Sequence, residues 1–335
     1  MEQLSIIAGF TILSMLVTAA YAPFLIKLLY KMQIVVRHTL MGNKMNEEFM
    51  KIQGHKSGTP TLGGLMISIS VMILVLVFIE DSSLKWLFLV FWGLFTLYGF
   101  VEGMIVYARK LSERFKLIES SFEWRLGKLF LLYLLSLFSV TATTYFLNIT
   151  QINVFGLNIA INVLSVFIGS IFFVLAMYAM EITDGADGLV TGQFIIAILS
   201  HLVISILKGN NDLLPILSMI LGACLVYLYF NINPARVFMG GTGTFPVAFS
   251  ILLASIITNT VDILLIIGII FWTELATSAL QILWIKIFKK RLFKIAPFHH
   301  YFESIGWPET KMVQRFWLFS AIFAVIALWI FSLIK

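Results

Sequence analysis

The chain has 335 residues, of which 60% are hydrophobic and 12% charged, with a net charge of +6 and a mean hydropathy of +0.98. Soluble domains average about 45–50% apolar and about a quarter charged, so this composition excludes a water-soluble globular fold and points to a membrane-embedded one. The single cysteine, Cys224, lies inside an apolar run, which excludes a disulfide framework and a cysteine-ligated metal site.

The first apolar run, 5–30, follows Met1-Glu2 with no basic segment before it and is too long for a signal peptide, so it is predicted as a retained span. Nine further runs predict spans at 61–79, 86–107, 126–147, 159–179, 188–207, 213–230, 244–259, 261–285 and 316–334. The expected fold is therefore an all-α polytopic membrane protein of ten transmembrane helices, one domain over 1–335. Between the fourth and fifth spans, Gln151-Ile-Asn-Val-Phe-Gly-Leu-Asn158 alternates around Gly156 and predicts a small hairpin on the outer face.

All of the 23 Lys and Arg except Lys85, Lys208 and Lys335 fall in the odd-to-even connections and their flanking turns. Basic residues stay on the cytoplasmic side, so those connections face the cytoplasm and both termini lie outside. That face is also expected to meet anionic membrane lipids. No separate folded module presents the basic residues, which argues against nucleic-acid binding. No paired, Gly- or Pro-broken segments recur in corresponding halves, which argues against a transporter.

The cytoplasmic connections carry the chemistry. In Lys56-Ser-Gly-Thr-Pro-Thr-Leu-Gly-Gly64 an ammonium and glycine N–H groups meet the start of a span, a setting for phosphate. Walker A spacing is absent, so this is not a nucleoside-triphosphate loop. Glu102, at the inner end of the third span, and Glu274, in the ninth, are functional candidates because a carboxylate at bilayer depth is costly unless paired or wet. Lys116 is a further phosphate candidate. In Thr183-Asp-Gly-Ala-Asp-Gly188 the two acids are three apart, so one helical turn would place both on one face to hold Mg²⁺, with Asp187 otherwise an N-cap. Phe230-Asn-Ile-Asn-Pro-Ala-Arg-Val-Phe-Met-Gly240 offers the amides of Asn231 and Asn233, and Phe238 either stacks a base or packs in the core. His299 and His300, adjacent and so pointing different ways, make a poor chelate but a good pair of phosphate donors.

Together these motifs, with the run from Ala296 to Glu309 and Arg315-Phe-Trp317, resemble the phospho-N-acetylmuramoyl-pentapeptide transferase family over almost the whole chain. The resemblance implies a Mg²⁺-dependent phosphoglycosyl transferase of the bacterial inner membrane acting in peptidoglycan synthesis. Polyprenyl phosphate would attack the sugar-linked phosphate of UDP-N-acetylmuramoyl-pentapeptide and UMP would leave, with positioning and charge neutralisation as the main catalytic terms. It implies that Asp184, His299, His300 and Glu102 line the reacting centre. Lys56, Lys116, Asn231, Asp187 and Phe238 would bind the nucleotide and phosphates, Asp187 and Phe238 holding the uracil. A homodimer is an admissible assembly.

The chain departs from the family where charge matters most. Glu102-Gly103 stands in place of an Asp pair, Gly241 in place of a metal-binding Asp, Glu181 in place of an Asn, and Tyr301 in place of a third histidine. Two readings follow. In one, a working transferase holds a displaced ion through Asp184, Glu102 and Glu181. In the other, the chain binds nucleotide-sugar, lipid or a protein partner without turnover.

Overall fold

The structure, a computed structural model, describes residues 1–35, 56–108 and 122–334. Its helices are α1 (Glu2–Lys31), α2 (Leu65–Phe78), α3 (Ser83–Ala108), α4 (Phe122–Phe146), α5 (Val163–Thr183) and α6 (Leu189–Lys208), continuing with α7 (Leu213–Asn231), α8 (Gly241–Ile257), α9 (Val261–Ile267), α10 (Ile269–Phe288), α11 (Phe298–Ser304) and α12 (Glu309–Ile334). Seven of them, α1, α3, α4, α5, α6, α7 and α12, are long and apolar enough to cross a membrane, and α2 and α8 are shorter apolar helices. Large apolar side chains such as Phe24, Leu76, Phe130, Ile168 and Trp329 point outward, as lipid-facing residues do in a membrane bundle.

The predicted ninth span, 261–285, is not one helix. The chain bends by 77° between α9 and α10 at Gly268, so this stretch is either a broken span or a re-entrant one. The hairpin is present: β1 (Gln151–Val154) pairs antiparallel with β2 (Leu157–Ala160). Its turn residues Phe155 and Gly156 have φ of 51° and 82°, the left-handed pair that a tight two-residue hairpin needs. The hairpin is pinned to the α8–α9 connection, where Asn153 N–H donates to Asn259 Oδ1 (2.6 Å) and Phe155 N–H to Asp262 Oδ2 (3.0 Å). Next in the chain, a reciprocal capping box between Asn162 and Ser165 starts α5.

Inside the bundle, small residues let backbones approach, the way membrane helices associate. The buried face of α1 carries Ser14, Thr18 and Ala22. Ser14 Oγ donates to Met219 O of α7 (2.5 Å), and Thr18 Oγ1 to Ser70 Oγ of α2 (2.7 Å). Pro246, inside α8, has no N–H to offer the carbonyl of Thr242 one turn earlier. That carbonyl instead accepts from Ser68 Oγ of α2 at 2.6 Å, while Ser68 O accepts from Trp92 Nε1 of α3 at 3.1 Å. The missing helix bond thus becomes a three-helix link.

The start of α8 is the tightest part of this link. A Cβ on Gly64 would run into the backbone of Gly243, and one on Gly99 into the carbonyl of Gly241. Gly99→Ala should therefore force α3 and α8 apart and lower stability by about 1–3 kcal/mol, the usual cost of overpacking. Gly127→Ala, exposed on α4 with nothing within 4 Å, should instead gain roughly 0.5–1 kcal/mol from helix propensity. Thermal unfolding of the two variants in detergent checks the contrast, and equal effects would contradict it.

Candidate functional site

Segments far apart in sequence meet at one end of the bundle and are tied by backbone bonds. Thr61 N–H donates to Ile34 O (3.0 Å), just past α1. Phe238 N–H donates to Pro60 O (2.8 Å), while Gly63 and Gly64 donate to Phe238 O and Met239 O (2.8 and 3.0 Å). The two glycine N–H groups expected to be free for phosphate are therefore used to dock the loop before α2 onto the loop before α8. A side chain at position 63 would also collide with Val237.

Asn231, at the last turn of α7, holds the next junction. Its buried amide accepts from Gly188 N–H (3.0 Å) and Thr191 Oγ1 (3.2 Å) and donates to Val237 O (3.0 Å). The segment 184–188 is a turn and not the helical continuation the acid spacing suggested: α5 ends at Thr183, and Gly188 precedes α6 at φ 78°. Gly188, not Asp187, is the N-cap of α6, and it makes no side-chain cap bond.

Asp187 belongs to a buried charge network instead. Its Oδ1 lies 3.0 Å from Lys56 Nζ, and its Oδ2 accepts from Asn233 Nδ2 and Ala235 N–H, each at 3.0 Å. Glu309, the first residue of α12, completes the network. Its Oε1 accepts from Lys56 Nζ (2.5 Å) and Asp187 N–H (2.7 Å), and its Oε2 from Asn233 Nδ2 (3.1 Å). The side chains of Lys56, Asp187 and Glu309 are 6%, 2% and 9% exposed. Burial alone would push the Lys56 ammonium toward its neutral form, but the Glu309 and Asp187 carboxylates outweigh it and hold the group above the usual lysine range. Two of its three donors are thereby committed. The half-buried ring of Phe238 lies beside it, 6.0 Å from Nζ, so Phe238 flanks the ammonium and is not a buried core residue.

The histidines sit behind the turn. His299 accepts its orientation from Glu274 of α10: its backbone N–H donates to Oε1 (3.1 Å), and its Nδ1 lies 2.9 Å from Oε2. Both side chains are essentially fully buried. The other ring nitrogen, Nε2, is buried with no hydrogen-bond partner and lies against Gly185, where a Cβ would strike it. His300 diverges from it, with Nδ1 2.6 Å from Glu303 Oε2, and burial lowers its pKa to about 4, keeping the ring neutral. A second apolar core fixes this corner: Ala186, Leu189, Met312, Val313 and Phe316 pack with Phe298, Phe302, Trp307 and Trp317.

Glu102 and Glu181 lie to one side. Lys128 Nζ of α4 contacts Glu102 Oε1, and Glu181 has Glu102, Lys128 and Asp184 as charged neighbours. Glu102 and Lys128 line an apolar groove of about 250 Å³ between α3 and α4, together with Leu97, Tyr98, Trp124 and Leu131. Asp184 Oδ2 accepts from Gly240 N–H (3.0 Å). Among the described residues no group of three His, Cys, Asp or Glu side chains converges to hold a metal ion. The expected ligand set of Asp184, Glu102 and Glu181 is thus not assembled. Gly241 has no ligand to offer and no space for one: a Cβ there would lie 2.8 Å from Gly99 Cα and 2.9 Å from the Phe245 ring. As folded, these residues do not fit a divalent cation.

Of the residues singled out in the sequence, Lys56, Asp184, Asp187, Asn231, Phe238, His299 and His300 therefore share one corner, with Glu102 and Glu181 adjoining it, while Lys116 lies outside the described residues. Sequence reasoning gave no role of its own to Glu309 or Lys128. An acid in a mainly basic connection was the available signal for the first.

The sequence pattern of glycosyl transferase family 4 matches residues 65–259. The chain is 32% identical over 316 residues to the phospho-N-acetylmuramoyl-pentapeptide-transferase of Caldicellulosiruptor bescii, covering 93% of this chain and 96% of that one. It is 33% identical over 324 residues to the protein of the same name from Staphylococcus carnosus, with 95% and 97% covered. For the Clostridioides difficile protein of that name the identity is 29% over 320 residues, with 95% of each covered.

Burial pushes the Asp184 carboxyl up to about 7, against smaller opposing effects of the Gly240 N–H and Lys56. An acid with a raised folded-state pKa keeps its proton in the folded protein while the unfolded chain ionises. Stability therefore falls as pH rises from about 4 to about 7 and levels off above. Asp184→Asn should remove that slope, so its thermal midpoint should gain on wild type across this window. A difference that does not vary with pH would contradict the assignment.

Proposed function

The chain belongs to glycosyl transferase family 4 and to the phospho-N-acetylmuramoyl-pentapeptide-transferase family, and on that footing we propose that it transfers phospho-N-acetylmuramoyl-pentapeptide from its UDP carrier to polyprenyl phosphate. The site would face the cytoplasm at the inner leaflet of a bacterial cytoplasmic membrane, with ten spans, the bent α9–α10 pair counted as one, and both termini outside. A homodimer is compatible with this arrangement.

The observation that carries the reading is the buried, unpartnered Nε2 of His299, turned onto the Asp184–Gly188 turn where the nucleotide-binding loops meet. With Nδ1 donating to Glu274, the imidazolium form of His299 would donate from Nε2 to a phosphate oxygen. An oxygen of polyprenyl phosphate attacks the phosphorus bonded to the sugar, the bond to the bridging oxygen of UMP breaks, and a sugar-linked polyprenyl diphosphate forms. Protein groups do no covalent work in such a step; they position the phosphates and balance charge. With Nδ1 held by Glu274, His299 presents one nitrogen to the reacting phosphates. Phe238 stacks the uracil, the third donor of Lys56 reaches the diphosphate, and Asp187 with Asn231 fixes the loop 231–240 that bounds the nucleotide. Mg²⁺, when bound, would supply charge neutralisation, but among the described residues the acids do not converge to hold it.

A second reading, binding without turnover, is favoured by one observation: Gly241 has neither a ligand nor room for one. Reconstituted protein given UDP-N-acetylmuramoyl-pentapeptide and polyprenyl phosphate should release UMP, and His299→Ala should cut that rate by about 10²–10⁴-fold. Nucleotide-sugar binding by calorimetry, with no UMP from wild type, would select the second reading. Absence of both would overturn the proposal.

A further inference from the structure

We propose that the positive charge serving the acid cluster at the α3–α4–α5 corner is the ammonium of Lys128, standing where a divalent metal ion would be expected, so that this corner needs no metal. Lys128 Nζ touches Glu102 Oε1, with the two side chains 25% and 16% exposed. Glu181 faces the same corner, with Glu102 and Lys128 as its nearest charged neighbours. The ammonium in contact with Glu102 thus supplies, from within the protein, positive charge at the place where a metal ion would otherwise supply it.

The neighbouring groups are committed in ways consistent with this. Asp184 accepts from Gly240 N–H, and the Tyr98 hydroxyl donates to Lys128 O at 3.3 Å. Opposite them, position 241 is filled by its contact with Gly99 and Phe245, so α3 and α8 have closed over the place from which another ligand would come. Lys128 reaches the acids from α4 along the apolar groove, an environment in which an unpaired ammonium would be costly. The inference rests on the transferase reading only for the expectation that a metal belongs here.

The test uses the purified full chain in detergent and does not read turnover. Mn²⁺ uptake is followed by the loss of its free-ion EPR signal, and thermal midpoints are measured with Mn²⁺ and with EDTA. Wild type should take up no stoichiometric Mn²⁺, and neither addition should move its midpoint. Lys128→Met should lower the midpoint by several degrees, because it leaves a half-buried pair of acids without its cation. The double variant Lys128→Met/Glu102→Gln, which removes both charges, should recover most of that loss and folds even if the single variant does not. Saturable Mn²⁺ uptake by wild type that Glu102→Gln abolishes would overturn the proposal. So would a Lys128→Met midpoint equal to wild type, or a double variant no more stable than the single. Failure to release UMP or to bind nucleotide-sugar sinks the transferase reading and leaves this result standing.

Discussion

A single buried ammonium organises the candidate site. Lys56 is held between Asp187 and Glu309, so one side chain joins the loop before α2, the turn after α5 and the start of α12. Two carboxylates and an ammonium removed from water are unfavourable unless further hydrogen bonds support them. Asn233, Ala235 N–H and Asp187 N–H supply what is missing, which is why the loop 231–240 is drawn into the same place. The backbone ladder from Pro60 to Met239 and the three bonds of Asn231 then follow from that convergence.

The glycines set a different limit. Gly64, Gly99, Gly241 and Gly243 let α2, α3 and α8 approach to backbone contact, and Pro246 releases a carbonyl that stitches them together. Gly241 thus offers no ligand and lets the helices close over its position. Placing a carboxylate there would require α3 to move, so the chemistry of this corner is tied to the packing of the membrane core. The Glu102–Lys128 contact lies on the neighbouring side of α3, and charge there is balanced within the protein.

Much of this was legible in the sequence, because apolar runs of span length and glycine-, acid- and amide-rich connections leave strong local marks. The hairpin around Gly156 and the bundle's helices follow from such marks. The 77° break at Gly268 did not, since a glycine inside a long apolar run barely alters hydropathy. Nor did the use of the Gly63 and Gly64 N–H groups, which depends on strand-like pairing with residues far along the chain. The spacing of Asp184 and Asp187 suggested a helical face, but the chain turns there because Gly188 takes a left-handed conformation. Lys128 looked like one of many topology-setting charges, and only its proximity to Glu102 distinguishes it. Glu309 was hidden for the same reason: its meaning lies in partners more than a hundred residues away.

The central claim is that Lys56 and Glu309 are energetically one unit joining the two ends of the site. A double-mutant cycle of Lys56→Met and Glu309→Gln, read by thermal unfolding of the full chain in detergent, tests it most directly. The account predicts strong non-additivity, with a coupling of roughly 1–3 kcal/mol and a double variant little worse than either single one. Additive effects of the two substitutions would mean that the loops are held together by something else, and the account of the site would fail.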